Sequence, residues 1–148
     1  MALFKGKFEH IIDPKGRTSI PSKFREILTS NYDERLIITN YDGCLWGYPY
    51  AEWKVIEEKI SKLPQFKPEV KALQRVFISG ATECPIDSQG RILIPPALRT
   101  YAGLVKDIVV IGMTRRIEIW DKKRWEDTFQ KAQQQIDSIA ETLADLGL

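Results

Sequence analysis

An aspartate and an arginine stand four residues apart in two places, in Asp13-Pro-Lys-Gly-Arg17 and in Asp87-Ser-Gln-Gly-Arg91. Both segments are typical of tight turns, because Asp hydrogen-bonds local backbone and Gly tolerates a positive φ. Across such a turn the carboxylate and the guanidinium can pair, while the arginine can still reach outward to a phosphate. The spacing therefore predicts either an ion pair that only fixes the turn or a phosphate-binding group, and it leaves both interpretations open.

These two motifs lie inside a tandem duplication. Residues 4–25 and 78–99 align at a constant offset of 74, with nine identical pairs in 22 positions. Such a repeat predicts two copies of one structural unit. A β-rich unit of about 70 residues buries little core alone, so we expect the copies to pair or to exchange hairpins. The identical pairs are Gly6/Gly80, Glu9/Glu83, Ile12/Ile86, Asp13/Asp87, Gly16/Gly90, Arg17/Arg91, Ile20/Ile94, Pro21/Pro95 and Arg25/Arg99.

The two copies differ in charge. Residues 5–25 contain six Lys or Arg and two acidic residues, whereas residues 79–99 contain two of each. Fold symmetry explains a residue that both copies keep, but it does not explain lysines that only the first copy has. We therefore predict a polyanion-binding surface on the first repeat and mainly structural roles for Arg91 and Arg99. The predicted surface consists of Lys5, Lys7, Lys15, Arg17, Lys23 and Arg25; Ser79, Ala81, Gln89 and Ala97 stand opposite its four lysines.

The other chemistry-bearing residues match no known type of site. His10 is the single histidine, Cys44 and Cys84 are far apart, and no P-loop, dinucleotide fingerprint or zinc pattern is present. We predict no catalytic residue, no metal site and no cofactor, and we expect both cysteines to be reduced thiols. We expect Arg115 and Arg116, in a predicted hairpin turn, to be solvated or to add a secondary basic contact. No apolar run approaches the roughly 20 residues of a membrane span.

Composition and periodicity predict a globular protein with both strands and helices. Hydrophobic residues make up 43% of the chain and the net charge is only +2, so the chain as a whole is no polycation. Strands are predicted over 4–12, 18–20 and 92–94, with hairpin turns at 40–43 and 112–115. Helices are predicted over 50–63, 68–78 and 122–146, the last one capped by Asp121. The predicted division is a first repeat with its helix (1–64), a connecting helix (65–77) and a second repeat with its helix (78–148).

The doubled D-x-x-G-R, each followed by a short β run and proline, resembles the MraZ family within the AbrB/MazE-like swapped-hairpin β-barrels. The match covers nearly the whole chain, through DPKGRTSIPSKFRE, LWGYPYAEW, VKALQRVFISGATECPIDSQGR and RILIPPALR. The resemblance implies an α+β fold of two tandem AbrB-like swapped-hairpin β-barrel repeats in a pseudo-two-fold arrangement, with peripheral helices. It assigns the family's D-x-x-x-R motif to Asp13 and Arg17 and to Asp87 and Arg91. Lys5 stands where a relative can have Arg.

The resemblance also implies a function. It implies a bacterial transcriptional regulator, a ring-shaped homo-oligomer, that binds repeated promoter boxes upstream of the division and cell-wall gene cluster. It further implies a cytoplasmic, nucleoid-associated location and no catalytic activity. Together with the lysine asymmetry, it makes a sequence-specific regulator bound to double-stranded DNA, without a membrane partner, our leading hypothesis. Two alternatives stay open, a protein-interaction module such as an antitoxin-like partner binder, and an enzyme that uses the duplicated Asp/Arg pairs.

Overall fold

The computed structural model describes residues 3–148, so residues 1 and 2 of the predicted first repeat lie outside the described residues. Strands and helices follow one another in the same order in both halves. The strands are β1 (Phe4–Ile11), β2 (Arg17–Ser19), β3 (Leu36–Tyr41), β4 (Cys44–Pro49), β5 (Thr82–Glu83), β6 (Arg91–Leu93), β7 (Asp107–Thr114) and β8 (Ile117–Asp121). The α-helices are α1 (Ser22–Asn31), α2 (Tyr50–Ser61), α3 (Pro68–Leu73), α4 (Pro96–Ala102), α5 (Lys122–Ser138) and α6 (Ala140–Asp145). A π-helical segment, Gln74–Ile78, connects α3 to the second half.

The two halves interlock through their strands. Six of the described strands form one sheet in the order β1-β7-β8-β4-β3-β5, and β2 pairs with β6 in a separate two-stranded unit, here called the ribbon. Neighbouring strands are antiparallel. The strand order is unchanged when each strand is exchanged for its counterpart in the other copy, as a pseudo-two-fold relation requires. The α+β class is confirmed, but no closed barrel is found among the strands of residues 3–148, in which β1 and β5 are sheet edges.

The main core contains side chains from the sheet, the ribbon, α1 and α4. Both repeats contribute to it, so neither ribbon strand is held by its own repeat alone. Thr18 and Ile92, which pair at the centre of the ribbon, are 2% and 1% exposed. Each large aliphatic side chain buried in this way contributes about 1.5–3 kcal/mol to stability. The fully buried side chains of the main core include Phe4, Ile20, Phe24, Leu28, Leu36, Ile38, Leu45, Ile92, Ile94, Ile108, Ile117 and Ile119.

The opposite face of the sheet is covered by α2 and the π-helical segment. Side chains alternate between faces along a strand, so Ile37 and Tyr48 point away from the main core. Trp53 of α2 and Phe77 pack over them with ring centroids 5.3 Å apart. The Thr39 hydroxyl donates a hydrogen bond of 2.5 Å to the carbonyl of Phe77. The predicted helix over 68–78 is therefore an α-helix that continues as a π-helical segment anchored to the sheet.

The first strand is the element that differs most between the copies. β1 has eight residues and β5 has two. The residues aligned with the start of β1 are not extended, because the π-helical segment reaches Ile78 and a turn follows it. At the other end, Pro85 takes the aligned position of Ile11, and proline has no N–H to donate to a strand ladder. Only the first copy therefore has a long edge strand, and this strand carries Lys5 and Lys7.

The predicted helix over 122–146 is divided into two helices. α5 ends at Ser138 and α6 begins at Ala140, with Ile139 between them at φ −111°. The predicted N-cap is confirmed, because the Asp121 carboxylate accepts a 3.1 Å hydrogen bond from the backbone N–H of Arg124. Within residues 3–148, no helix combines the length and the apolar character that crossing a bilayer requires.

Both cysteines are free and buried. Burial raises the pKa of the Cys84 thiol to about 11 and raises the pKa of the Cys44 thiol further. Because the thiolate is the reactive form, we expect slow alkylation of both thiols in the native protein at about pH 8 and fast alkylation in denaturant. Mass spectrometry after a timed maleimide reaction measures this. Complete labelling of the native protein within the time needed for an exposed thiol would contradict it.

Candidate nucleic-acid interface

The first motif forms a tight turn that is closed by its own aspartate. One carboxylate oxygen of Asp13 accepts the backbone N–H groups of Lys15, at 3.0 Å, and Arg17, at 2.8 Å. The other oxygen accepts Nε of Arg17 at 2.8 Å. The backbone N–H of Asp13 donates to the carbonyl of Arg17 at 2.9 Å, and the Gly16 N–H donates to the carbonyl of Asp13. The turn and the direction of the arginine are thus set within five residues.

The second motif repeats this arrangement with a longer ion pair. Asp87 accepts the backbone N–H groups of Gln89, at 2.8 Å, and Arg91, at 2.9 Å. Nε of Arg91 lies 3.3 Å from the second carboxylate oxygen. Gly16 and Gly90 have φ of +92° and +77°, a conformation that other residues rarely adopt. The glycine between the aspartate and the arginine is therefore a requirement of the turn.

Hydrogen bonds lower the pKa of both aspartates. For Asp13 the largest cause is the backbone N–H of Arg17, and for Asp87 it is the backbone N–H of Arg91. A group with a lowered pKa stabilises the fold above its ordinary pKa, which is 3.8 here, and loses this contribution as the pH falls through the lowered value. The two turns should therefore be fully formed at neutral pH.

This sign gives a testable pH dependence. We expect the melting temperature to be insensitive to these two groups between about pH 5 and pH 8 and to fall below about pH 4. A variant with both Asp13→Asn and Asp87→Asn keeps one acceptor oxygen in each turn for the backbone N–H groups but loses the charge and the oxygen that accepts the arginine Nε. It should be less stable at neutral pH, and its melting temperature should fall less steeply in acid. Thermal unfolding of both proteins across the pH range makes the comparison. Parallel curves down to about pH 2.5 would contradict a role for these carboxylates.

The ribbon places the two arginines on one surface. Arg17 pairs with Leu93, Thr18 with Ile92, and Ser19 with Arg91. Because Thr18 and Ile92 point into the core, the other four side chains lie on the outer face. Arg17 and Arg91 are diagonal neighbours there, with Cα atoms about 7–8 Å apart. The side chain of Leu93 lies on the same face and is 56% exposed to solvent.

The structure brings some of the six predicted basic residues together at the ribbon. Lys15 is exposed in the first turn, next to the half-exposed Arg17. Lys23 is exposed in the first turn of α1, directly after β2. Arg25 is half-buried, donates from Nε to the carbonyl of Ile20 at 3.1 Å, and lies against the second turn.

Lys5 and Lys7 lie elsewhere. They are exposed on β1, and the chain from Lys5 to the end of that strand at Ile11 spans about 20 Å. The ammonium of Lys7 lies 4.4 Å from the centre of the Phe129 ring on α5. Both lysines therefore form a second basic area, separate from the ribbon along the strand.

Arg116 does not match the prediction of a solvated side chain. Its guanidinium carbon lies 3.6 Å from the Trp46 ring centre, and its terminal nitrogen pairs with the buried Glu118 at 2.7 Å. Arg115 is more exposed and pairs with Glu52 at 3.4 Å. The β7–β8 hairpin directs the Arg116 side chain back onto Trp46 and Glu118, whereas Arg115 stays exposed to solvent.

Sequence reasoning gave Arg91 a structural role and did not consider Leu93 or Ser19. The missed information is the pairing of β2 with β6, which joins segments 74 residues apart. One signal was available, since both copies place an arginine at the first position of a three-residue strand. The two strands of an antiparallel pair related by symmetry would bring these positions to one face.

The interlocked halves and the doubled turn define a tandem-repeat α+β protein. The family described as "MraZ protein, putative antitoxin-like" matches it twice, over residues 3–76 and 77–146. The chain belongs to the MraZ family.

Curated relatives match along nearly the full chain. One from Pediococcus pentosaceus is 47% identical over 146 residues, which cover 99% of this chain and all of the relative. Others, from Natranaerobius thermophilus and Ligilactobacillus salivarius, are 44% and 46% identical with the same coverage. Each of these relatives is named "Transcriptional regulator MraZ".

Proposed function

We propose that the chain is a DNA-binding transcription regulator whose contact surface is the outer face of the ribbon with the turn at 13–17. The observation that carries the proposal is the position of Arg17 and Arg91 on one ribbon face, with Lys15 exposed in the turn that leads into Arg17. The names of the relatives support a role in transcription. Because the net charge is only +2, a local basic surface must provide the attraction to DNA.

The exposed outer face of the ribbon is the part that would meet the major groove, because Thr18 and Ile92 on its other face are buried. That groove is about 12 Å wide and admits a two-stranded β-ribbon. The ion pairs engage Nε of Arg17 and Arg91, so the terminal nitrogens can make a bidentate contact to a phosphate or to a guanine edge. Leu93 offers an apolar contact for a thymine methyl group. Lys15 and Lys23 would meet phosphates as point charges.

The other predicted basic residues, Lys5, Lys7 and Arg25, would lie at the edge of the contact surface or outside it. Lys5 and Lys7 would contact phosphates outside the ribbon, because they are exposed but lie along β1. Arg25 takes part through its contact with the second turn. Each true phosphate contact steepens the dependence of log K on log salt by about one unit.

Repeated promoter boxes and a ring-like homo-oligomer complete the proposal. A protomer offers few contacts and should bind weakly alone, whereas an oligomer on repeated boxes gains from effective concentration. Following the resemblance, we propose the division and cell-wall gene cluster as the target and a cytoplasmic, nucleoid-associated location. We also propose a swapped-hairpin arrangement of the two repeats as the architecture, without a closed barrel in residues 3–148, with repeats over 1–64 and 78–148 and a connecting segment over 65–77. The cross-repeat pairing of β2 with β6 supports this architecture.

A groove on another surface favours a second candidate, the protein-interaction module. It has a volume of about 700 Å³ and lies between α3, the β3–β4 turn and α4. Tyr41, Leu63, Val76 and Tyr101 line it and are 36–40% exposed. An apolar groove of this kind can receive a side chain or a helix of a partner.

A footprint on the region upstream of the chain's own gene tests the proposed function. We expect protection of regularly spaced boxes at low salt and its loss as the salt concentration rises. A protein that protects no sequence there and binds no duplex at low salt would contradict the proposal and favour the interaction module.

A further inference from the structure

Two arginines cross from one repeat to the turn of the other. A Cβ atom added to Gly16 would lie 2.7 Å from Nε and 2.8 Å from Cζ of Arg99, which belongs to α4 of the second repeat. The nearest atoms to a Cβ at Gly90 belong to the guanidinium of Arg25, on α1 of the first repeat. Each guanidinium therefore lies directly against the glycine of the opposite turn.

Hydrogen bonds fix Arg99 at this position. Its Nε donates to the carbonyl of Ile94 at 3.0 Å, and Nη1 lies 3.5 Å from the carbonyl of Pro14. The backbone N–H of Ile94 donates in turn to the carbonyl of Gly16 at 2.8 Å. Arg99 thus joins the end of β6 to the first turn, at the point where the two repeats meet.

The chemistry requires an arginine on one side and a glycine on the other. The guanidinium is planar with five donors in a fixed fork, so it can lie flat on Gly16 and still serve carbonyl groups at its edge. A lysine ammonium has neither the plane nor the fork. The close approach also needs the missing Cβ of the glycine.

We propose that Arg99 is a positioning residue for DNA binding by the first repeat. It holds the turn that presents Lys15 and Arg17, although it belongs to the repeat that lacks the four lysines. Arg25 does the same for the second turn. The second repeat thereby contributes to DNA binding indirectly, because its Arg99 holds the turn of the first repeat in position. This inference rests on the proposed function, whose ligand it takes as duplex DNA.

The test combines DNA binding with amide hydrogen exchange on Arg99→Leu and Arg99→Lys. Arg99→Leu should weaken binding to the promoter duplex about fivefold to tenfold, with the salt slope of the wild type, because Arg99 meets no phosphate. Exchange at the amides of Gly16 and Arg17 should become at least several-fold faster. Arg99→Lys keeps the charge and most of the stem, and we expect it to behave like the leucine variant.

Arg25→Leu is the matched control. It should accelerate exchange in residues 87–91 and leave Gly16 and Arg17 at the wild-type rate. A salt slope lowered by about one unit in Arg99→Leu would overturn the proposal, because Arg99 would then contact phosphate itself. Unchanged binding despite a loosened turn would overturn it as well. If the wild type binds no duplex, the proposed function fails, and exchange at Gly16 alone decides whether Arg99 positions the turn. Should the leucine variant not fold, Arg99→Lys supplies both readouts.

Discussion

Arg17→Ala is expected to weaken binding to duplex DNA carrying the promoter repeats about tenfold, because a bidentate arginine contact is worth about 1–3 kcal/mol. The loss of one cation should also make the salt dependence shallower by about one unit for each engaged protomer. Fluorescence anisotropy over a salt series measures both quantities. Circular dichroism and size-exclusion chromatography establish that the variant keeps its fold and its assembly.

Arg91→Ala is the matched control, because Arg91 has the same turn and the same ribbon face. We expect a smaller loss of affinity, since Gln89 and Ala97 replace lysines around it. The stability of the second turn should decrease, because its ion pair with Asp87 is removed. Equal losses of affinity for both variants, with fold and assembly intact, would contradict the asymmetry between the repeats.

Gly16→Ala is expected to destabilise the protein by about 3 kcal/mol. Two effects add at this position. The residue has φ of +92°, and the new Cβ would lie 2.8 Å from the carbonyl oxygen of Ile94 as well as against Arg99. The carbonyl oxygen of Ile94 belongs to the backbone, so it cannot move away from the new Cβ as the end of a flexible side chain could. Denaturant unfolding measures the loss, and DNA binding should weaken with it because the turn carries Arg17.

Gly43→Ala separates the two effects. Gly43 also has a positive φ, +77°, but a Cβ there would meet no described atom within 4 Å. Gly43→Ala should lower the free energy of unfolding by about 1 kcal/mol, the effect of the backbone conformation alone. If both variants lose the same stability, the close packing of Gly16 against Arg99 and Ile94 has no energetic weight.

The turns could be predicted from the sequence because every bond that forms them lies within five residues. Asp13, Gly16 and Arg17 meet through local hydrogen bonds, and the same is true of the second copy. The N-cap at Asp121 could be predicted for the same reason, because its hydrogen bond joins residues only three apart in the sequence. Local chemistry of this kind depends little on the rest of the chain.

The position of those turns relative to each other could not be predicted locally. The pairing of Thr18 with Ile92 depends on a core to which both repeats contribute. The contact of Arg99 with Gly16 depends on the same packing, so a residue assigned to one repeat lies at the turn of the other. The sequence predicted which basic residues belong to the candidate site. Only the tertiary packing shows that Arg91 lies on the same face as Arg17.

Photo-crosslinking from position 93 tests most directly whether the ribbon contacts DNA. A benzophenone amino acid in place of Leu93, which is 56% exposed on the outer face, should crosslink to a duplex that carries the promoter repeats. The same group in place of Phe66, which is 90% exposed between α2 and α3, should give no crosslink above background. A variant that binds the duplex with wild-type affinity yet crosslinks from position 66 and not from position 93 would contradict the ribbon as the DNA-binding surface.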